Sequence, residues 1–264
     1  MLTFVIPVKS RSVTSNWISF SRQFEKTLRS IGNQTDSNFK MVVICHEIPD
    51  INYTHDDLHF IHPDFQPPSK ENIGSKENLI KQRIDKGNKI KLGVDYARTK
   101  FNTDYVMLVD SDDYVSNRIA EFVNNSHDSP GWFIGRGYLS FKWKNVLIGT
   151  KKFNHLCGSS VIIKPHLVKY FFDMGKINLY FDHRLTTLNS NIELKKVPFC
   201  AGIYNMGNGE NIQMSIQTVK KFSKLGCWIS SENLLRIYRR IKNYRFRIIT
   251  PALRKEFNFY PTAE

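Results

Sequence analysis

Tyr105-Val-Met-Leu-Val-Asp-Ser-Asp-Asp113 decides how this chain is read: five apolar residues stop at three carboxylates within four positions. A run of that length ending in acids predicts a buried strand that carries its charges to the edge of a sheet. Adjacent carboxylates repel, and holding them in a desolvated place costs several kcal/mol, on roughly the scale of burying a charge, unless a cation compensates. A divalent metal is one natural compensation, since Mg²⁺ takes one or two carboxylates and fills its octahedron with water and phosphate oxygens, and Mn²⁺ accepts the same ligands. An isolated Asp-x-Asp can equally cap a following helix, so on these residues alone both readings stand.

Upstream, Leu2 to Val8 is a short apolar strand closed by Pro7, with Lys9, Ser10 and Arg11 behind it. The carboxyl end of a strand in an open parallel sheet is where ligands bind, so these cations face either an anionic ligand or solvent. Trp17, Phe20, Phe24, Leu28 and Ile31 form a helical stripe that Ser15 could cap and Gly32 end. Phe39 to Cys45 is a second strand leading to His46 and Glu47, which completes a strand-helix-strand unit and puts Glu47 at the same edge as Lys9. Leu58 to Ile61 is a weaker third strand, followed by a long irregular loop from Pro63 to Lys76. Ile90, Gly93, Val94, Ala97 and Phe101 then lie on one helical face, and the helix is expected to start near Gly87-Asn88-Lys89. That start places Lys89 in the first turn, where the helix dipole disfavours a cation, so it is either there for a ligand phosphate or a chance surface lysine.

Beyond Asp113 the regular alternation weakens. A short helix around Ile119 to Val123 is expected, with strands over Trp132 to Gly137, within Tyr138 to Phe153, and over Ser159 to Lys164, Glu193 to Val197 and Ala201 to Tyr204. A glycine-rich turn, Asn205 to Asn211, follows, then helices around Ile216 to Leu225 and Leu234 to Lys242. The second is amphipathic and basic and is expected to continue into Arg245 and Arg247. Trp132, Tyr138, Phe141 and Trp143 are available to stack on a sugar or to fill a core.

The chain has 264 residues, 41% of them hydrophobic, enough for a large core. Its charge of +14 suits phosphorylated ligands, nucleic acid or an anionic membrane. Residues 218 to 264 hold 11 Lys and Arg against three acids, so the excess gathers in the last fifth. The four cysteines show no Cys-x-x-Cys spacing, so reduced, buried thiols are expected rather than a zinc or redox site. Met1 to Val8 reads as a strand and not as a signal peptide, and no run approaches a membrane span, so a cytoplasmic protein, soluble or peripheral to a membrane, is expected.

In order and spacing, Phe4-Val-Ile-Pro7, Val42-Val-Ile-Cys-His-Glu47, Gly87-Asn-Lys89 through Gly93 and Ala97, and Asp110-Ser-Asp-Asp113 resemble the GT-A glycosyltransferases, especially family 2. The resemblance covers about Met1 to Ser116 well and the remainder loosely. It implies an α/β nucleotide-binding sandwich of GT-A type with a mostly parallel central sheet. It divides the chain into a catalytic domain over 1–217, with a nucleotide-binding half (1–116) and an acceptor half (117–217), and a basic helical extension over 218–264. By that resemblance Pro7, Lys9 and Arg11 line the base and phosphate pocket, Glu47 contacts the base, and Lys89 faces the nucleotide. Asp110 and Ser111 approach the ribose or the metal's water shell, and Asp112, with Asp110, ligates Mn²⁺ or Mg²⁺.

The implied reaction moves a sugar from a nucleoside-diphosphate sugar, a UDP-sugar for preference, to a hydroxyl of a glycan or lipid-linked acceptor, with inversion. Asp182 in Tyr180-Phe-Asp-His183 is the candidate general base, with His183 second. Asp182 is equally suited to capping a following helix. In the late turn, where some relatives place a metal-binding His, Asn208, Glu210 and Asn211 are the available substitutes, and Gly158-Ser159-Ser160 resembles an acceptor-side segment. Two alternatives remain. A nucleotidyltransferase would use a similar sheet, although Val8 to Val13 lacks the usual glycine-rich loop. A non-enzymatic protein would act through its basic tail, where an interfacial helix on anionic lipid is preferred to nucleic acid, no nucleic-acid-binding signature being present.

Overall fold

A computed structural model describes residues 1–69, 75–126, 129–141, 146–173, 180–189, 191–206 and 244–260. Strands β1 (Leu2–Pro7), β2 (Phe39–Ile44), β3 (Leu58–Ile61), β4 (Tyr105–Leu108), β6 (Gly131–Phe133), β9 (Val161–Ile163) and β14 (Lys195–Lys196) make the main sheet. Its order is β14-β6-β9-β4-β1-β2-β3. Only β9 is antiparallel to its neighbours. The carboxyl ends of six strands therefore share one edge, and β4 lies beside β1 in the middle of it. A second sheet, β16-β8-β7-β15-β5, joins β5 (Tyr114–Val115), β7 (Gly137–Phe141), β8 (Val146–Thr150), β15 (Gly202–Met206) and β16 (Tyr244–Ile248). Two small ribbons pair β10 (Phe172–Asp173) with β11 (Tyr180–Phe181), and β12 (Thr187–Leu188) with β13 (Ile192–Glu193). This is the α/β arrangement with a mostly parallel central sheet that the sequence implied.

The period of two along each strand splits the core into two layers. Phe4, Ile6, Met41, Val43, Met107 and Val109 face helix α1 (Trp17–Ile31), whose Trp17, Phe20, Phe24, Leu28 and Ile31 fill that side together with Ile119 and Val123 of α3 (Ile119–Asn124). Val5, Val42, Ile44, Val106 and Leu108 face Ile90, Val94 and Ala97 of α2 (Lys76–Phe101). Gly93 is where α2 comes closest to the sheet: a Cβ there would stand 2.4 Å from Ile44 Cδ1 and 2.6 Å from Val5 Cγ1.

Several boundaries differ from expectation. Asn16, not Ser15, caps α1, its side chain accepting from Ser19 N at 2.9 Å. Helix α2 starts at Lys76, capped by Ser75, three turns before the expected start, so Lys89 is in mid-helix. The reason is that only the second half of α2 lies on the sheet. Its first half runs past the strand ends, where the inward positions Asn78, Gln82, Asp85 and Lys89 are buried but polar, and an apolar period cannot mark them.

Tyr244–Ile248 is a strand paired antiparallel to β8 and not the continuation of a helix. Its Tyr-Arg-Phe-Arg-Ile alternation is the period-two signal that the basic composition obscured. Thr250 then caps α4 (Pro251–Phe257), with proline at the first helical position. Phe257 and Phe259 bury themselves with Tyr114, Leu147, Ile203 and Ile249 in a third core. The expected helices within Ile216 to Lys242, and the turn residues Asn208, Glu210 and Asn211, lie outside the described residues, as do Trp143 and Cys227. Trp132 is core, 3% exposed and packed on Tyr105, while Cys45 and Cys157 are free and buried. Among the described residues no helix is long and apolar enough to cross a membrane.

Candidate functional site

The chain crosses from the main sheet to the second sheet in one turn, Val109 to Tyr114, and this turn carries the acids. Val109 still donates to Val5 O at 3.0 Å, so the strand runs one residue past β4 before it turns. Helix α1 holds the turn from below with three polar residues spaced along one face. Gln23 Nε2 donates to Asp112 O at 3.2 Å, Thr27 Oγ1 to Ser111 O at 3.2 Å, and Ser30 Oγ to Val115 O at 3.0 Å. With its backbone fixed in this way, the direction of each carboxylate is set by the fold.

The three acids diverge. Asp113 is fully buried and accepts from Cys157 Sγ at 2.9 Å, Ser159 Oγ at 2.6 Å and Asn205 N at 3.2 Å. Burial, with Asp112 and Asp110 nearby, raises its pKa well above the usual carboxylate range, against the pull of its Cys157 and Ser159 donors. It ties β4's turn to β15 and to the segment before β9, and is taken up by structure. Asp110 and Asp112 instead line a cavity at the carboxyl edge, whose walls include Pro7 and Lys9 behind β1, Gln82, Arg83, Lys86 and Lys89 of α2, and Gly158, His183 and Tyr204. Ser111 lines it as well. Ser159 Oγ accepts from Asp110 N at 2.8 Å while it donates to Asp113, and the absence of a side chain at Gly158 lets Asp110 lie there, since a Cβ would stand 2.7 Å from its Oδ2.

Lys86 pairs with Asp110 Oδ1 at 2.5 Å. Burial opposes the ammonium charge, but Asp110, Asp112 and Asp113 outweigh it and raise the Lys86 pKa above its ordinary value. Part of the compensation that the sequence assigned to a metal is therefore supplied by a lysine. The sequence reading missed Lys86, although its position three residues before Lys89 puts both on the inner face of the same helix. Lys89 is itself buried, donating to Val8 O at 2.8 Å and pairing with Asp85 Oδ2 at 2.7 Å, while His46 Nε2 lies 2.9 Å from Asp85 Oδ1. Desolvation lowers the Lys89 pKa despite Asp85. Lys89 thus stitches α2 to β1, and its expected place in a helical first turn is corrected.

Glu47 does reach the β1 turn, accepting from Ser10 Oγ at 3.2 Å and Arg11 N at 3.1 Å. Arg11, which is exposed, and Glu47, which is half-buried, do not line the cavity wall. Asp182 accepts from Arg184 Nε and Nη2, both at 2.8 Å, and this pairing lowers its pKa. His183 lines the cavity, is 8% exposed, and has an Nε2 with no hydrogen-bond partner among the described residues. Burial, reinforced by Lys86, pushes its pKa down to about 4, so it is neutral at pH 7. Among the described residues, no three His, Cys, Asp or Glu side chains converge as a ligand set for a metal. Two carboxylates on a cavity wall nevertheless fit a hard divalent cation that completes its shell with water and phosphate oxygens.

No family model and no curated protein matches the chain. Among solved structures it is similar to residues 1–349 of S. aureus TarS, at 12% identity and a TM-score of 0.45 over 77% of this chain and 60% of that one. It is similar also to the bifunctional IspDF from Campylobacter jejuni, at 13% identity and a TM-score of 0.35 over 68% of this chain and 44% of that one. A third likeness is to HddC from Yersinia pseudotuberculosis, at 10% identity and a TM-score of 0.31 over 78% and 88% of the respective chains. The chain thus spans about three fifths of the first of these structures and less than half of the second.

Proposed function

We propose that the chain is a glycosyltransferase of GT-A type, which transfers a sugar from a nucleoside-diphosphate sugar to a hydroxyl acceptor. The observation that carries this reading is the meeting, in one cavity, of Asp110 and Asp112 behind β4, Lys9 behind β1, and Arg83 and Lys86 on α2. Cations and acids around one cleft suit a diphosphate and the metal that accompanies it. Asp112 and Asp110 would hold Mn²⁺ or Mg²⁺, which supplies charge neutralisation to the departing diphosphate. Lys86 provides cationic charge at the same place from the protein itself.

Of the two base candidates, His183 is the one whose unpartnered nitrogen belongs to the cavity lining, whereas Asp182 is engaged by Arg184. A neutral imidazole has a lone pair free to accept the acceptor's hydroxyl proton, although burial makes it a weaker base than free histidine. Loss of turnover in His183→Gln with retention in Asp182→Asn is the expected pattern, and the reverse pattern returns the role to Asp182.

Calorimetric titration of UDP and GDP, with and without Mn²⁺, tests the whole reading. Binding strengthened by Mn²⁺ is expected, with the Mn²⁺-dependent part reduced at least about tenfold in Asp112→Ala, equivalent to about 1.4 kcal/mol. If neither nucleotide binds, the glycosyltransferase reading fails. Pyrophosphate release from a nucleoside triphosphate and a sugar phosphate would move the assignment to nucleotidyl transfer on the same sheet edge.

A further inference from the structure

A second cleft opens beyond β9, at the same edge of the main sheet. Strands β6 and β14 run parallel to β4, so the residues that follow them emerge on the side where Asp110 and Asp112 emerge. Among the described residues the cleft is lined by Arg136, Lys151, Lys196, Val197 and Pro198, three cations and no acid. Like charges brought to one cleft repel, by about 1 kcal/mol per pair at contact distance in water, and contribute nothing to the fold by themselves. Arg136 Nε is buried without a hydrogen-bond partner among the described residues. Leaving a charged donor unmet is unfavourable, and an anion in the cleft would meet it.

The walls are built and not incidental. Gly135 gives room to the Lys196 stem, which lies 2.4 Å from where a Cβ would stand. Backbone bonds from Phe153 N to Gly135 O at 3.2 Å, Ala201 N to Arg136 O at 3.2 Å and Val197 N to Phe133 O at 3.0 Å fix the lining segments. The chain from Lys151 leads directly to the first cavity, where Leu156 and Gly158 are lining residues. Those seven steps span at most about 25 Å when fully extended, and less here because Phe153–His155 is a helical turn.

We propose that this cleft is a subsite for an anionic group, phosphate or carboxylate, carried by the acceptor. The assignment to the acceptor rests on the glycosyltransferase reading above, while the anion site itself does not. An acceptor carrying such a group would place it in this cleft while presenting its hydroxyl to the first cavity.

The test is an NMR titration of the full chain with inorganic phosphate and, separately, with acetate, following the Arg136 Nε–H resonance and the Val197 and Gly135 amides. Saturable shifts at these signals are expected, and whichever ion binds more tightly identifies the group. Lys151→Gln/Lys196→Gln alters only exposed side chains and keeps Arg136 as the reporter. It should weaken the saturating ion about fivefold, within the range for two exposed charge contacts. Arg98→Gln/Lys100→Gln, at the far end of α2, removes the same net charge and should leave the affinity unchanged. Shifts that do not saturate, shifts absent from Arg136, or equal weakening in the two variants would overturn the site. UDP and GDP titrations of Lys151→Gln/Lys196→Gln separate the two proposals: phosphate at Arg136 with no nucleotide in the first cavity sinks the glycosyltransferase reading and leaves the anion site standing.

Discussion

Asp110, Asp112 and Asp113 are neighbours in sequence with different work to do. Asp113 has three donors and no exposure, so Asp113→Ala strands the Cys157 and Ser159 hydrogens and the Asn205 amide in the interior. A loss of about 2–4 kcal/mol is expected in urea or thermal unfolding, from unmet buried groups together with the volume removed, with Asp113→Asn milder. His183 gives a pH signature. Its folded pKa, about 4, lies below the 6.5 of a free imidazole, so between those values the unfolded chain binds a proton that the folded chain does not. This residue's contribution therefore falls as pH drops from 6.5 to 4, by up to about 3 kcal/mol, and is constant above that window. Of the groups facing it, Lys86 and Arg184 oppose its protonation while Asp110 and Asp182 favour it. A melting temperature that declines from pH 6.5 to 4.5, and declines less steeply in His183→Gln, is the expected result. The acid turn was legible in the sequence because strand-end carboxylates stand out, whereas Asp182 and His183 were reached only through the family resemblance. That Asp113 turns inward and that Lys86 turns toward Asp110 was not legible, because both follow from the path of a turn and the length of a helix.

At the scale of elements, α2 shows what hydrophobic periodicity can read. The half packed on the sheet was recognised from Ile90, Gly93, Val94 and Ala97, while most of the half that passes the strand ends was given no element because its buried face is Asn78, Gln82, Asp85 and Lys89. The half that escaped notice is the half that walls the cavity. Similarly, β16 was hidden by its arginines although its alternation was intact. Gly93 links α2's position to the site. Gly93→Val would drive methyl groups into Val5 and Ile44, both fully buried. A loss of about 1–3 kcal/mol by overpacking is expected in chemical unfolding. The shift should also move α2 off the sheet edge and weaken nucleoside-diphosphate binding; a variant as stable as the parent, with unchanged nucleotide affinity, would refute that coupling.

The whole molecule joins two sheets through the acid turn, and the end of the chain closes the join. Phe257 and Phe259 pack with Tyr114, one residue after Asp113. Asn117 N donates to Glu256 O at 3.0 Å, and Ser116 Oγ to Glu256 Oε1 at 2.6 Å. The sequence grouped these residues in a basic helical extension over 218–264, and its contacts were not legible because charge excess reports composition. Removing residues 244–264 would expose the inner side of the turn that holds Asp110 and Asp112, and would leave β8 an unpaired edge. Burial of two phenylalanines alone contributes roughly 3–6 kcal/mol, and for a chain of this size each kcal/mol corresponds to about 2–4 °C. A chain ending at Asn243 should therefore melt at least about 6 °C lower than the full chain and bind nucleoside diphosphates more weakly. The milder Phe257→Ala should lower the melting temperature and keep the Mn²⁺ dependence of whatever binding remains. A truncated chain that melts and binds like the parent would show that the third core is dispensable and that the acid turn stands on α1 alone.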